Sequence, residues 1–283
     1  MATTNIPTLK QRRLGVELRK LRERAGLSST AAAARIGVQQ ARVSMMEAGR
    51  YAVSADRVRA MARSYACSDP QLVDALAAMT GGRTRGWWDE YREYLPATFA
   101  DLAELEHQAR GVRVALVIHI PGLLQTVDYA RAVIREAAPP LRAFEVEHRL
   151  THRMKRQEIL YRDSPVPYTA IIHEAALRMG FGGAEVVRAQ LEHLLEMSEM
   201  DNVTIQVIPF SSGTFPGSGQ SIDYVLGPVP QLDTTQLDLA WGCQFVDAEA
   251  ELARYKAVVD RMEATALKPD ESRDFIHGIV RSM

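Results

Sequence analysis

Cysteine is nearly absent from this chain. Only Cys67 and Cys243 occur among 283 residues, far apart and outside any CxxC pair. That excludes a disulfide framework and a zinc ribbon, and a reducing, cytoplasmic compartment is the simplest expectation. Long apolar runs are missing as well. No stretch approaches the roughly 18 uninterrupted apolar residues of a membrane-spanning helix, and Met1–Arg13 holds no apolar run of signal-peptide length. Internal repeats and low-complexity tails are also lacking.

Recognisable catalytic constellations are equally scarce. His148 and His152 have the i,i+4 spacing of a chelating pair, but their surroundings, EVEHRLTHRMKRQE, are densely charged and read as a solvated helix face. His173-Glu174 lacks the second histidine of HExxH. The glycine-rich SSGTFPGSGQS lacks the lysine of a P-loop and reads as a hairpin or surface loop. Ser218 lies between glycines but not in GxSxG. No enzyme, metal or cofactor is expected on these grounds.

What the chain does have is an ordinary globular composition, 47% apolar and 24% charged, and a length suited to two domains. Its charge is unevenly placed. Met1–Ala66 carries 13 Lys+Arg against 4 Asp+Glu, a net of +9, which leaves 21 against 31, a net of −10, for the remainder. A basic head on an acidic body suits a head that touches a polyanion and a body that does not.

The head reads as five short helices. Leu14, Leu18, Leu21 and Ala25 recur at helical spacing, while Arg12, Arg13, Arg19, Lys20 and Arg24 mostly fall off that stripe. Gly26 ends this helix, and Ser28 is placed to cap the next, which carries the alanine run and ends near Ile36. A third helix spans about Gln39–Ala48. A fourth starts behind Ser54, and a fifth after Asp69-Pro70. The glycine-rich Thr80–Gly86 is the best boundary. Beyond it, an aromatic stretch is expected to be helical on both sides of Pro96. Strand candidates fall at 112–121, 167–173, 203–210, 220–226 and 236–241, with helices at about 126–137, 143–162, 185–200, 248–267 and 269–281. The expected architecture is an N-terminal all-α domain of five helices (1–80). A linker with connecting helices (81–110) and a C-terminal α+β domain with an antiparallel or mixed sheet (111–283) follow.

In AGLSSTAAAARIGVQQARVSMMEAGR the run of small residues has a physical reading. Two helices crossing over a tight turn tolerate only a small side chain at the contact, which falls on Ala33, and Gly37 supplies the positive φ of the turn. Both are expected to share one cause, close packing, with the other alanines serving only as helix formers. At these residues the chain resembles the phage-repressor, or xenobiotic-response-element, type of helix-turn-helix. Leu27, Ala33, Gly37, Val38, Gln40, Val43, Ser44, Glu47 and Gly49 fall in register with its pattern. Further on, RGWWDEY, IPGLLQTVDYARAVI, QVIPFSSGTFPGSGQSI and ELARYKAVVDRMEATALKPDESRDFI resemble a large actinobacterial family in which this head precedes an uncharacterised regulatory domain. Its members are similar to antitoxin-like regulators, often encoded beside a small acidic partner protein.

The resemblance implies double-stranded DNA as partner and a dimer over two half-sites. The third helix would enter the major groove with Gln39, Gln40 and Ala41, then Ser44 and Met45. Gln40 suits bidentate pairing with adenine, a purely structural role being the alternative, and Ala41 and Met45 suit thymine methyl groups. Arg42, Arg50, Ser28 and Ser29 are phosphate candidates. Ser29 stands where the family usually has glutamine, and Met45 where a polar or basic residue often reads a base. Direct readout is then weaker, with more left to DNA shape. Arg22 and Glu47 occupy the positions of the family's partly buried ion pair. Trp87-Trp88 more often anchors a linker helix to a core, and a ligand or partner pocket is the alternative. The helices near 143–162 and 248–281 serve either as the dimer contact or as internal packing. The expected function is a DNA-binding transcriptional regulator modulated by a small partner protein or ligand. The alternative is an antitoxin-like protein that mainly holds a cognate small protein.

Overall fold

A computed structural model describes residues 7–81, 86–239 and 242–283. The chain forms two compact units, Met1–Asp89 and Glu90–Met283.

The first unit holds α1 (Leu9–Arg24), α2 (Ser29–Ile36), α3 (Gln40–Glu47), α4 (Ala55–Ser64) and α5 (Pro70–Ala78). Their starts follow from capping chemistry. Thr8 and Gln11 form a reciprocal capping box on α1, Ser28, Ser54 and Asp69 each accept a backbone N–H of the following helix, and Pro70 opens α5. Leu14, Leu18, Leu21, Val43, Met46, Val58, Met61, Leu72 and Leu76 make the interior.

Three expectations are corrected here. Ala32, read as a mere helix former, is as fully buried as Ala33, so the small residues of α2 fill two core positions while Ala31 and Ala34 face outward. Gly37 does adopt the left-handed conformation, with φ +68°, but a Cβ added there would meet nothing within 4 Å. Its cause is backbone conformation and not close packing. The close approach lies instead at Gly15 in α1, where a Cβ would sit 2.4 Å from the Glu47 carbonyl oxygen and 2.8 Å from that of Met46. Arg13 is also buried, in an ion pair with Glu17 at 3.0 Å.

The second unit begins with α6 (Ala97–Gln108), behind a 3-10 turn at Trp87–Tyr91, so only the far side of Pro96 is α-helical. Then follow β1 (Gly111–Leu116), α7 (Val127–Arg135), α8 (Ala143–Arg156), β2 (Tyr168–His173), α9 (Glu174–Arg178), α10 (Ala184–Met197), β3 (Val203–Ile208), β4 (Ile222–Leu226), β5 (Thr234–Leu239), β6 (Gly242–Val246), α11 (Glu249–Thr265) and α12 (Pro269–Ser282). The sheet is mixed, in the order β3-β2-β1-β4-β5-β6. Its first three strands are parallel and joined by helical crossovers. The remainder is antiparallel.

Alternation gives the sheet two faces. Val112, Val114, Ala170, Ile172, Val203, Ile205 and Val207 pack with residues of α10 and α12 in one core. Ala115, Ile171, Ile222, Tyr224, Leu237 and Val246 pack with Leu252, Val259 and Met262 of α11 in the other.

The strand expected over 112–121 stops at Leu116, the last residue paired with β2. The one expected over 236–241 starts earlier, at Thr234, and Ala240 and Trp241 lie outside the described residues, as do residues 82–85 of the expected boundary. Strand β6 was not expected. The helix expected over 143–162 is α-helical only to Arg156 and ends in a 3-10 turn. His152, read as part of a solvated face, is 1% exposed. It packs edge-on against Tyr91 and Phe99, with ring centroids 5.2 and 5.5 Å away.

Candidate nucleic-acid interface

Two buried residues, Val43 at 0% and Met46 at 2% exposure, seat α3 on the first unit. Being three apart, they occupy one face. The opposite face carries Gln40, Ala41, Ser44 and Met45 with Arg42 beside them, and Gln39 precedes them at the N-cap; all six are exposed. Met45, a large apolar side chain, is 45% exposed. The turn that aims this face is held at both ends. Gly37 and Val38 donate to the carbonyls of Ala34 and Ala33, and Arg57 of α4 donates to the Ile36 carbonyl at 3.1 Å.

The amide of Gln40 is already engaged. Its Nε2 donates to Ser29 Oγ at 3.1 Å and to Ser44 Oγ at 2.9 Å. An amide nitrogen has two hydrogens, so bidentate pairing with adenine requires one serine to let go, while Oε1 stays available as an acceptor. Ser28 accepts the Ala31 N–H at 3.1 Å and so defines the start of α2, next to half-buried Ser29. The Arg42 guanidinium lies over the Tyr51 ring, 5.1 Å from its centroid, and Arg50 is exposed just past α3.

Behind the exposed face, Arg22 binds Glu47 through two parallel bonds, Nε to Oε1 at 2.6 Å and Nη2 to Oε2 at 2.9 Å. Its Nη1 donates to the Leu27 carbonyl at 2.7 Å. Hydrogen bonding to Glu47, opposed by burial, raises the Arg22 pKa above its ordinary value. One guanidinium thus ties together α1, the loop before α2 and the end of α3.

Gly15 and Arg57 escaped the sequence reading. The available signal for Gly15 was a glycine inside a strongly helical stripe, where it weakens a helix unless something approaches closely. Trp87 and Trp88 meet edge to face at 5.9 Å, Trp88 buried and Trp87 half-buried. Among the described residues no group of three or more His, Cys, Asp or Glu side chains is arranged to hold a metal ion, and no helix is long and apolar enough to cross a membrane.

A short helix seated by its buried back, following a glycine turn and presenting a polar face, is the helix-turn-helix arrangement. Residues 13–76 match the model of a helix-turn-helix domain. Residues 99–278 match that of a domain of unknown function, DUF5753, and the chain belongs to that family. No curated protein matches the chain in sequence.

Proposed function

We propose that this protein is a sequence-specific, double-stranded-DNA-binding transcriptional regulator of the phage-repressor type. It works in the cytoplasm as a homodimer, with its second unit receiving an effector. The observation that carries the reading is the exposed face of α3: six consecutive or near-consecutive side chains, Gln39 to Arg42, Ser44 and Met45, stand exposed while Val43 and Met46 hold the helix from behind. Such a helix fits the major groove with its N-terminal residues on base edges. Ser28, Ser29, Arg42 and Arg50 flank that face where phosphates run. The basic head, 13 Lys+Arg against 4 Asp+Glu over Met1–Ala66, supplies the electrostatic part of the affinity.

One head offers few base contacts, so a dimer over half-sites about one helical turn apart is the working form. A gel-shift titration on the chain's own promoter region at two salt concentrations tests the proposal. Phosphate contacts release counterions, so affinity is expected to fall steeply with salt. Salt-insensitive binding, or none, defeats it.

A further inference from the structure

The two serines bound to Gln40 come from different helices. Ser29 opens α2, and Ser44 lies one turn along α3 from Gln40, on the same side. Gln40 Nε2 donates to Ser29 Oγ at 3.1 Å and to Ser44 Oγ at 2.9 Å. Both amide hydrogens are thereby spent. Gln40 Oε1 accepts from no described residue, and the side chain is exposed. The oxygen is the part of this amide left for a partner.

Bases differ in what they can give such an oxygen. In the major groove adenine N6 and cytosine N4 carry hydrogens, whereas guanine and thymine present acceptors and, in thymine, a methyl group. The further advantage of adenine is its N7 acceptor, which needs an amide hydrogen from glutamine. Supplying one means opening a serine bond. The number of hydrogen bonds is then unchanged, and Gln40 has lost a tether.

Contact with DNA does not favour that opening. A serine hydroxyl that accepts a bond keeps its own hydrogen to donate. Ser29, proposed above as a phosphate contact, gives that hydrogen to the phosphate, and a hydroxyl that donates is the stronger acceptor. Phosphate binding therefore tightens the clamp on Gln40.

We propose that Ser29 and Ser44 are positioning residues that set the specificity of Gln40. Held by both, Gln40 reads the amino group of adenine or cytosine and rejects guanine and thymine, with little preference between the two bases it accepts. The inference rests on the DNA-binding reading of this face and names the class of base it takes.

Two measurements test it. Without DNA, the side-chain amide protons of Gln40 are followed by NMR in the full chain and assigned through Gln40→Ala. Ser29→Ala and Ser44→Ala are each expected to move them. Alanine suits both helix positions, and the cap of α2 belongs to Ser28, so both variants keep the fold. Amide signals unmoved by either substitution overturn the clamp, whatever the chain does on DNA.

With DNA, the probe is a duplex library with a randomised core, sequenced in the bound and free fractions. The position that Gln40 reads is the one whose preference Gln40→Ala flattens. There the parent is expected to hold adenine and cytosine within about threefold of each other, and both above guanine and thymine by on the order of tenfold. The double variant Ser29→Ala/Ser44→Ala frees both amide hydrogens. It is expected to favour adenine over cytosine by about tenfold, the gain of a bidentate pair. Serines with a merely structural role weaken all sequences alike, and an adenine-to-cytosine ratio left unmoved overturns the proposal. So does a parent that already favours adenine over cytosine by about tenfold. A parent that favours guanine or thymine shows the amide turned over, with its oxygen on the serines, and overturns it too. Absence of any sequence preference defeats the DNA-binding reading and this inference with it.

Discussion

The Arg22 guanidinium holds both carboxylate oxygens of Glu47, at 2.6 and 2.9 Å, across 25 residues of sequence. Both side chains are almost wholly buried. Removing one partner strands the other charge away from water, which costs far more than the intact pair contributes. Glu47→Ala is expected to destabilise the first unit by about 3–5 kcal/mol. Glu47→Gln, which keeps an acceptor for one of the two bonds, is expected to cost less. Denaturant unfolding of the full chain, followed by helical circular dichroism, gives both numbers. An unchanged transition in Glu47→Ala refutes a structural role for the pair.

Gly15 and Gly37 make a second contrast, since the two glycines are needed for different reasons. A Cβ at position 15 runs into the backbone carbonyls of Met46 and Glu47, which cannot rotate away. Gly15→Ala must therefore push α1 off α3, at a cost of about 1–3 kcal/mol. A Cβ at position 37 meets open space but carries the left-handed penalty, about 1–2 kcal/mol. Gly37→Asn, which tolerates that conformation, is expected to recover most of the stability that Gly37→Ala gives up, whereas Gly15→Asn is expected to be worse than Gly15→Ala. Equal rescue by asparagine at both positions contradicts the distinction.

How much of this was legible beforehand follows from the range of the interactions. Three of the five helix starts in the first unit were readable because caps act within three residues: Ser28 on Ala31, Ser54 on Arg57, Asp69 on Leu72. The outward face of α3 was expected from register with the helix-turn-helix pattern, and the structure buries Val43 and Met46 behind it. The second unit is ordered by distant partners. Nothing near Arg156 announces that its carboxylate lies 50 residues earlier, at Glu106. The charged stretch around His148 and His152 therefore read as a solvated helix face, although His152 is buried. Strand β6 escaped because Gly-Cys-Gln-Phe-Val has little β-branched character and takes its place by pairing with β5.

On DNA, Gln40 and Arg42 are expected to separate base reading from phosphate binding. Gln40→Ala removes the amide proposed to meet a base edge. It should flatten preference at one base pair of each half-site by about 1–3 kcal/mol. Arg42→Ala should weaken all sequences alike and reduce the salt slope by about one unit for each phosphate it no longer neutralises. Titration against a set of single-base operator variants at several salt concentrations reads both effects. Arg42→Ala changing the ranking of operators, or Gln40→Ala leaving it intact, reverses the assignment.

Acid stability carries the signature of His152. Burial, with Arg156 and Arg153 nearby, depresses its pKa from 6.5 to about 3, so the folded chain keeps the ring neutral far below the pH at which the unfolded chain protonates it. The sign follows directly. Below about pH 6.5 the unfolded state binds a proton that the folded state refuses, so stability falls with pH until about pH 3; above pH 6.5 the group contributes no slope. One proton corresponds to about 1.4 kcal/mol per pH unit at most, and the total is on the order of a few kcal/mol. Carboxylates titrate in the same range, so the informative quantity is the difference between the parent and His152→Phe, which keeps the ring packing against Tyr91 and Phe99. That difference is expected to be flat above pH 7 and to shift steadily in favour of the variant from pH 6 to pH 4, measured as melting temperature at each pH. A constant offset across the whole range shows that the ring is not held neutral, and that its depressed pKa plays no part in acid unfolding.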